Sequence, residues 1–98
     1  MSEKYLAQFG ARLAKAINDE ISTFKGHKLR ADAGEPGMIY VALRGAKKET
    51  ALGQSLADKV GQIADRLIAD EDQPIDCAIS MGRGNRDLLL QIECRLGQ

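Results

Sequence analysis

GHKLRADAGEPGMIYVALRG, residues 26–45, sets how much of this chain is sheet, because its two halves obey different rules. The second half, MIYVALR at 38–44, alternates sides as a strand does, with Ile39, Val41 and Leu43 on one face and Met38, Tyr40, Ala42 and Arg44 on the other. The first half holds three glycines, a proline and alternating charges. Glu35-Pro36-Gly37 has the chemistry of a type II turn, with Pro preset at the first central position and Gly tolerant of positive φ at the second. The pattern predicts a loop over 26–37 and one short strand after it.

Upstream, Leu6, Phe9, Leu13, Ile17, Ile21 and Phe24 recur at intervals of three and four, which predicts an amphipathic helix over 3–25 with Ser2 as cap and Gly26 as stop. Downstream, Leu52, Leu56, Val60, Ile63 and Leu67 predict a second helix over 50–69, with Thr50 as N-cap and the small residues Gly53, Ala57 and Gly61 near its apolar stripe. Asp70, Glu71 and Asp72 would oppose the dipole at a helix C-terminus, so they belong outside it, and Pro74 marks the break.

Residues 75–81 and 88–96 then alternate as the arms of a β-hairpin around Gly82-Arg83-Gly84-Asn85-Arg86-Asp87. A two-residue turn would set Asp76 opposite Glu93. A four-residue loop would set Asp76 opposite Arg95 and Cys77 opposite Cys94, and charge pairing favours this second register. The expected fold is therefore α+β: a single domain, 1–98, in the order αβαββ, with two helices on one face of a small mixed three-stranded sheet.

Bulk properties exclude more than they assign. With 44% hydrophobic and 29% charged residues the chain is neither disordered nor fibrous, and its 14 basic residues balance 14 acidic ones. Any attraction to a polyanion must therefore come from local clustering. No run approaches the ~18 apolar residues of a membrane span, and the first residues lack a cationic segment followed by an apolar one, so a cytoplasmic location is expected. Cys77 and Cys94, on the apolar face of the hairpin, are expected as reduced core thiols. Two cysteines without CxxC spacing and the single His27 do not suggest a zinc site, so neither metal nor cofactor is expected.

The chemistry that stands out is positional. A right-handed crossover from the strand at 38–44 through the second helix to the strand at 75–81 joins strands that run the same way. Arg44, Lys47 and Lys48 after one strand and Arg83 and Arg86 after the other then share a pole with the second helix's N-terminus, where an anion finds free N–H groups. Glu49 and Asp87 offset these five cations only in part. The loop lacks the Gly-Lys-Ser/Thr ending of a P-loop, and Gly82-Arg83-Gly84 leads into a strand, so neither is a nucleotide fingerprint. The opposite pole is expected to gather Lys25, His27, Lys28 and Arg30 with Asp70, Glu71 and Asp72, largely neutralising one another.

The succession helix, strand, helix and basic-tipped hairpin resembles the Alba-type nucleic-acid-binding fold, although that fold opens on a strand for which this chain has no residues before its first helix. No diagnostic motif is shared, and no family residue is carried over. With one loop histidine and few hydroxyls, an enzyme is not expected. The expected role is a non-enzymatic module that binds a polyanion, nucleic acid first, through Arg44, Lys47, Lys48, Arg83 and Arg86. The rival is a protein-interaction or inhibitor module, of the kind a phage or mobile element encodes. A homodimer is expected through the uncovered sheet face, with Met38, Tyr40 and Leu89, or through the exposed edge of a strand.

Overall fold

A computed structural model describes residues 2–46, 50–82 and 86–97. Its elements are α1 (Ser2–Glu20), β1 (Thr23–Phe24), β2 (His27–Ala33), β3 (Met38–Leu43), α2 (Thr50–Ala69), β4 (Ile75–Met81) and β5 (Leu88–Leu96). The strands form one open sheet in the order β1-β2-β3-β5-β4 with every neighbouring pair antiparallel. The start of the first helix, the strand at 38–44, the second helix and the hairpin arms stand where the periodicity placed them. The three-stranded mixed sheet does not.

The difference lies in 21–33. The first helix ends at Glu20, not at residue 25, and Phe24 lies in β1 paired with His27. Between them Lys25 and Gly26 both take positive φ, 51° and 85°, as a two-residue hairpin turn with primed geometry requires. Gly26 is thus a turn residue and not a helix stop. The expected loop at 26–37 is mostly β2, whose Leu29 and Ala31 are buried while Lys28, Arg30 and Asp32 are exposed, a period of two. The type II turn does form: Met38 N–H donates to Glu35 C=O at 2.8 Å and Gly37 has φ of 88°.

β3 and β4 run the same way, as the crossover required, but β5 lies between them and pairs antiparallel with both. That insertion makes the sheet antiparallel where a mixed one was expected. The hairpin takes the four-residue-loop register, Asp76 opposite Arg95 and Cys77 opposite Cys94. A single core cluster joins Phe9, Leu13 and Ile17 of α1 and Leu56, Val60 and Ile63 of α2 to Ile39, Val41, Leu43, Leu88, Leu90 and Ile92 of the strands. Gly53 of α2 lies where a Cβ would stand 2.6 Å from Met81 Sδ, so the small residues of this helix serve its approach to β4 and β5.

Cys77 and Cys94 are not the separate reduced thiols expected: the two are joined as a disulfide, with Cα atoms 4.2 Å apart. The cause is register, since they occupy directly opposed, closely spaced positions of the ladder. Only Cys94 is fully buried. Cys94→Ser should therefore destabilise more than Cys77→Ser, by about 1–2 kcal/mol in denaturant titration, because its hydroxyl has no access to water.

The ends of the helices are tied by ion pairs. Arg66 of α2 donates to both carboxylate oxygens of Glu20, and Glu71 Oε1 accepts from Tyr5 Oη at 2.8 Å and Arg12 Nη2 at 2.7 Å. The Arg66 hydrogen bonds hold the Glu20 carboxyl below the usual glutamate range. A lowered folded-state pKa stabilises above the unfolded value and is lost as pH falls through the folded one. Glu20→Gln should accordingly lower stability near neutrality and leave the most acidic arm of a stability-versus-pH curve unchanged. Among the described residues no helix is long and apolar enough to cross a membrane.

Candidate anion-binding face

The register of β2 on β3 decides which charges meet. Leu29 opposes Leu43 and Arg30 opposes Ala42, so the start of β2 lies beside the end of β3. Arg44 N–H donates to Lys28 C=O at 2.9 Å, and His27 Nδ1 donates to Arg44 C=O at 2.8 Å, since a carbonyl can only accept. His27, Lys28 and Arg30 therefore belong to the pole of Arg44 and not to the opposite one. The expected neutralisation by Asp70, Glu71 and Asp72 does not occur: Glu71 is taken by Tyr5 and Arg12. A loop could have led in either direction; a strand antiparallel to β3 cannot.

The two loops expected to converge do meet. Gly45 N–H donates to Asp87 Oδ1 at 2.9 Å, which fastens the turn after β3 to the approach to β5. Arg86 is exposed beside that contact. Lys47, Lys48 and Arg83 lie outside the described residues.

On the sheet face turned away from the core, Lys28, Arg30 and Arg44 line a cavity of about 360 Å³ with Leu29, Ala42 and Asp87. Three cations face one carboxylate there, and that carboxylate already accepts from Gly45. Arg30 Nε also lies 3.1 Å from Asp32 Oδ2, an exposed pair of small energetic weight that leaves the other guanidinium nitrogens free to donate. A second hollow of about 300 Å³ continues along the face, sharing Arg30 and Ala42 and adding Tyr40, Leu89 and Gln91. It is the more apolar of the two.

Of the residues expected at a dimer interface, Met38 and Leu89 are half-buried and Tyr40 is 40% exposed, all on strands of this face. The Tyr40 ring lies over Gly34, where a Cβ would come within 2.4 Å of it, and its hydroxyl donates to Glu35 Oε2 at 2.9 Å. That hydrogen bond holds the Tyr40 phenol above its usual range. The ring is thus presented in a fixed pose.

Lys28 and Arg30 are the site residues that sequence reasoning missed. Their signal was the alternation of HKLRADA, charged at every second position, which reads as a half-buried strand once the short apolar residues Ala31 and Ala33 are counted on its inner side. Among the described residues no group of three or more His, Cys, Asp or Glu is placed to hold a metal ion.

No family model matches the chain, and no curated protein matches it. The solved structures include one similar chain, a Cs H-NOX mutant with 4-cyano-L-phenylalanine at site 5, at 9% identity and a TM-score of 0.42. The likeness covers 97% of this chain and spans 48% of that one, and says nothing of what this chain binds. The Alba-type resemblance gains no support, and β2 changes the element order on which it rested.

Proposed function

We propose that the chain is a non-enzymatic, two-layer binding module that holds polyanions, nucleic acid first, on the open face of its sheet. The observation that carries this reading is the cavity with Lys28, Arg30 and Arg44 on its walls, against Asp87 in its lining and Asp32 paired to Arg30. Guanidinium forks suit phosphate oxygens, and a concave wall lets several donors reach one group. Arg86 widens the positive region toward the hairpin tip, and Lys47, Lys48 and Arg83, outside the described residues, belong to the proposal by sequence alone. The apolar hollow beside it, with Tyr40, offers a resting place for a base or sugar. Contacts made mainly to phosphate would leave binding nearly blind to sequence.

Gel shifts with single- and double-stranded DNA and RNA at two salt concentrations test the proposal. Reversing Lys28, Arg30 and Arg44 to glutamate together should weaken binding by at least about a hundredfold, with each lost phosphate contact flattening the slope of log affinity against log salt by about 0.7–0.9. Reversing Lys4 and Lys59, on the helices, should change little. Absence of binding at low salt, or binding indifferent to the triple reversal, sinks the nucleic-acid reading. The module would then be assigned to an acidic partner protein meeting the same cations.

A cytoplasmic location stays part of the proposal and is checked through Cys77 and Cys94. A reducing compartment would open the bridge seen in the structure, so rapid alkylation during lysis, followed by mass spectrometry, should find two thiols there; a retained bridge would point to an oxidising compartment.

A further inference from the structure

The two edges of the sheet are finished differently. Along β2, Leu29 N–H donates to Ser22 C=O at 2.9 Å. Asn18 of α1 then meets Ala31 twice, its Nδ2 donating to Ala31 C=O and its Oδ1 accepting from Ala31 N–H, both at 2.8 Å. One side-chain amide there takes the place of a neighbouring strand. β4, at the other end of the strand order, has no such cover among the described residues.

The ladder fixes which groups of β4 face outward. Cys77 and Cys94 form a closely spaced pair, Cα atoms 4.2 Å apart, whereas Gly82 N–H bonds Leu89 C=O at 2.7 Å. Even-numbered residues thus bond to β5, and Ile75, Cys77, Ile79 and Met81 turn their N–H and C=O groups outward. β4 is lightly guarded for an edge: it has no lysine, no proline within the strand, and Asp76 as its one charge. Met81, at its end, is 47% exposed.

We propose that β4 pairs with β4 of a second copy of this chain, antiparallel, about a two-fold axis at Ala78. This register is the one that pairs all seven residues: Ile75 with the partner's Met81, Asp76 with the partner's Ser80 and Cys77 with the partner's Ile79. It sets outward-facing groups against outward-facing groups, as a ladder requires. It keeps the core-side residues of both strands on one side and opposes no like charges. A shift by one residue would fail on parity, and a shift by two would leave part of each strand unpaired. The result is an isologous dimer with a continuous sheet.

Light scattering over a concentration series tests the register. Native protein should dimerise. Ser80→Asp places two carboxylate pairs across the axis and should raise the dissociation constant roughly tenfold; Asp76→Asn added to it removes both repulsions without setting a cation against Arg95, and should restore native affinity. Ala78→Lys gains Glu93 as an opposite charge on β5 within its own chain, yet sets two lysines face to face at the axis, so it should favour the monomer even if Ser80→Asp folds poorly. A native monomer at high micromolar concentration overturns the proposal. So does a dimer indifferent to Ser80→Asp and Ala78→Lys but lost in Tyr40→Asp, which would place the contact on the open face.

Discussion

Gly37→Ala is expected to cost about 2–4 kcal/mol, a large share of the stability of a domain this size. Two effects add. At a φ of 88° a Cβ is strained in itself, and here it would stand 2.4 Å from the carbonyl oxygen of Cys94, a main-chain atom of β5 that cannot swing aside. Relief would require separating this turn from β5 and breaking the 2.7 Å hydrogen bond from Cys94 N–H to Gly37 C=O. Gly26→Ala supplies the comparison, since Gly26 has nearly the same φ, 85°, and nothing within 4 Å of its would-be Cβ. That variant should lose only the conformational part, about 1 kcal/mol. Urea titration of both variants separates strain from collision; equal losses would remove the steric argument.

Asn18→Ala should be nearly as damaging, at about 2–3 kcal/mol, or roughly 10–20 °C in Tm. The residue satisfies a donor and an acceptor of the same backbone position, and its loss strands both against α1, where water has poor access. Asn18→Asp is not expected to rescue, because a carboxylate can accept from Ala31 N–H but meets the Ala31 carbonyl with another oxygen. Faster amide exchange at Ala31 in either variant, with β5 still protected, would locate the damage; unchanged exchange there would contradict the role.

Why Asn18 could not be read from sequence shows where local patterns run out. Its partner is 13 residues away across a turn, and nothing in the helical period marks a polar residue as a substitute strand. The elements that were legible have strong periods and large apolar residues: the second helix, and β3 to β5, in which Ile, Val and Leu alternate. β2 was not, because its inner side has Leu29 as its one large apolar residue and Ala31 and Ala33 read as neutral. The first helix was extended too far because Ile21 and Phe24 continue its spacing by coincidence while serving a different element. The site followed suit. Arg44 was placed at the correct pole because it ends a recognised strand; Lys28 and Arg30 were sent to the wrong pole because a loop has no direction.

Asn18 has one more consequence, for what the molecule does not become. A sheet with two open edges is a bifunctional monomer, and pairing at both ends propagates without limit, as in cross-β fibres. Here one end is occupied by a side chain of the same molecule, so a unit that adds at β4 offers no new site for the next. Association through β4, as proposed above, would terminate after a single step, whatever the concentration. Removing the amide at Asn18 would restore the second reactive end, and the growth of species larger than two chains, seen by sedimentation, would be its signature.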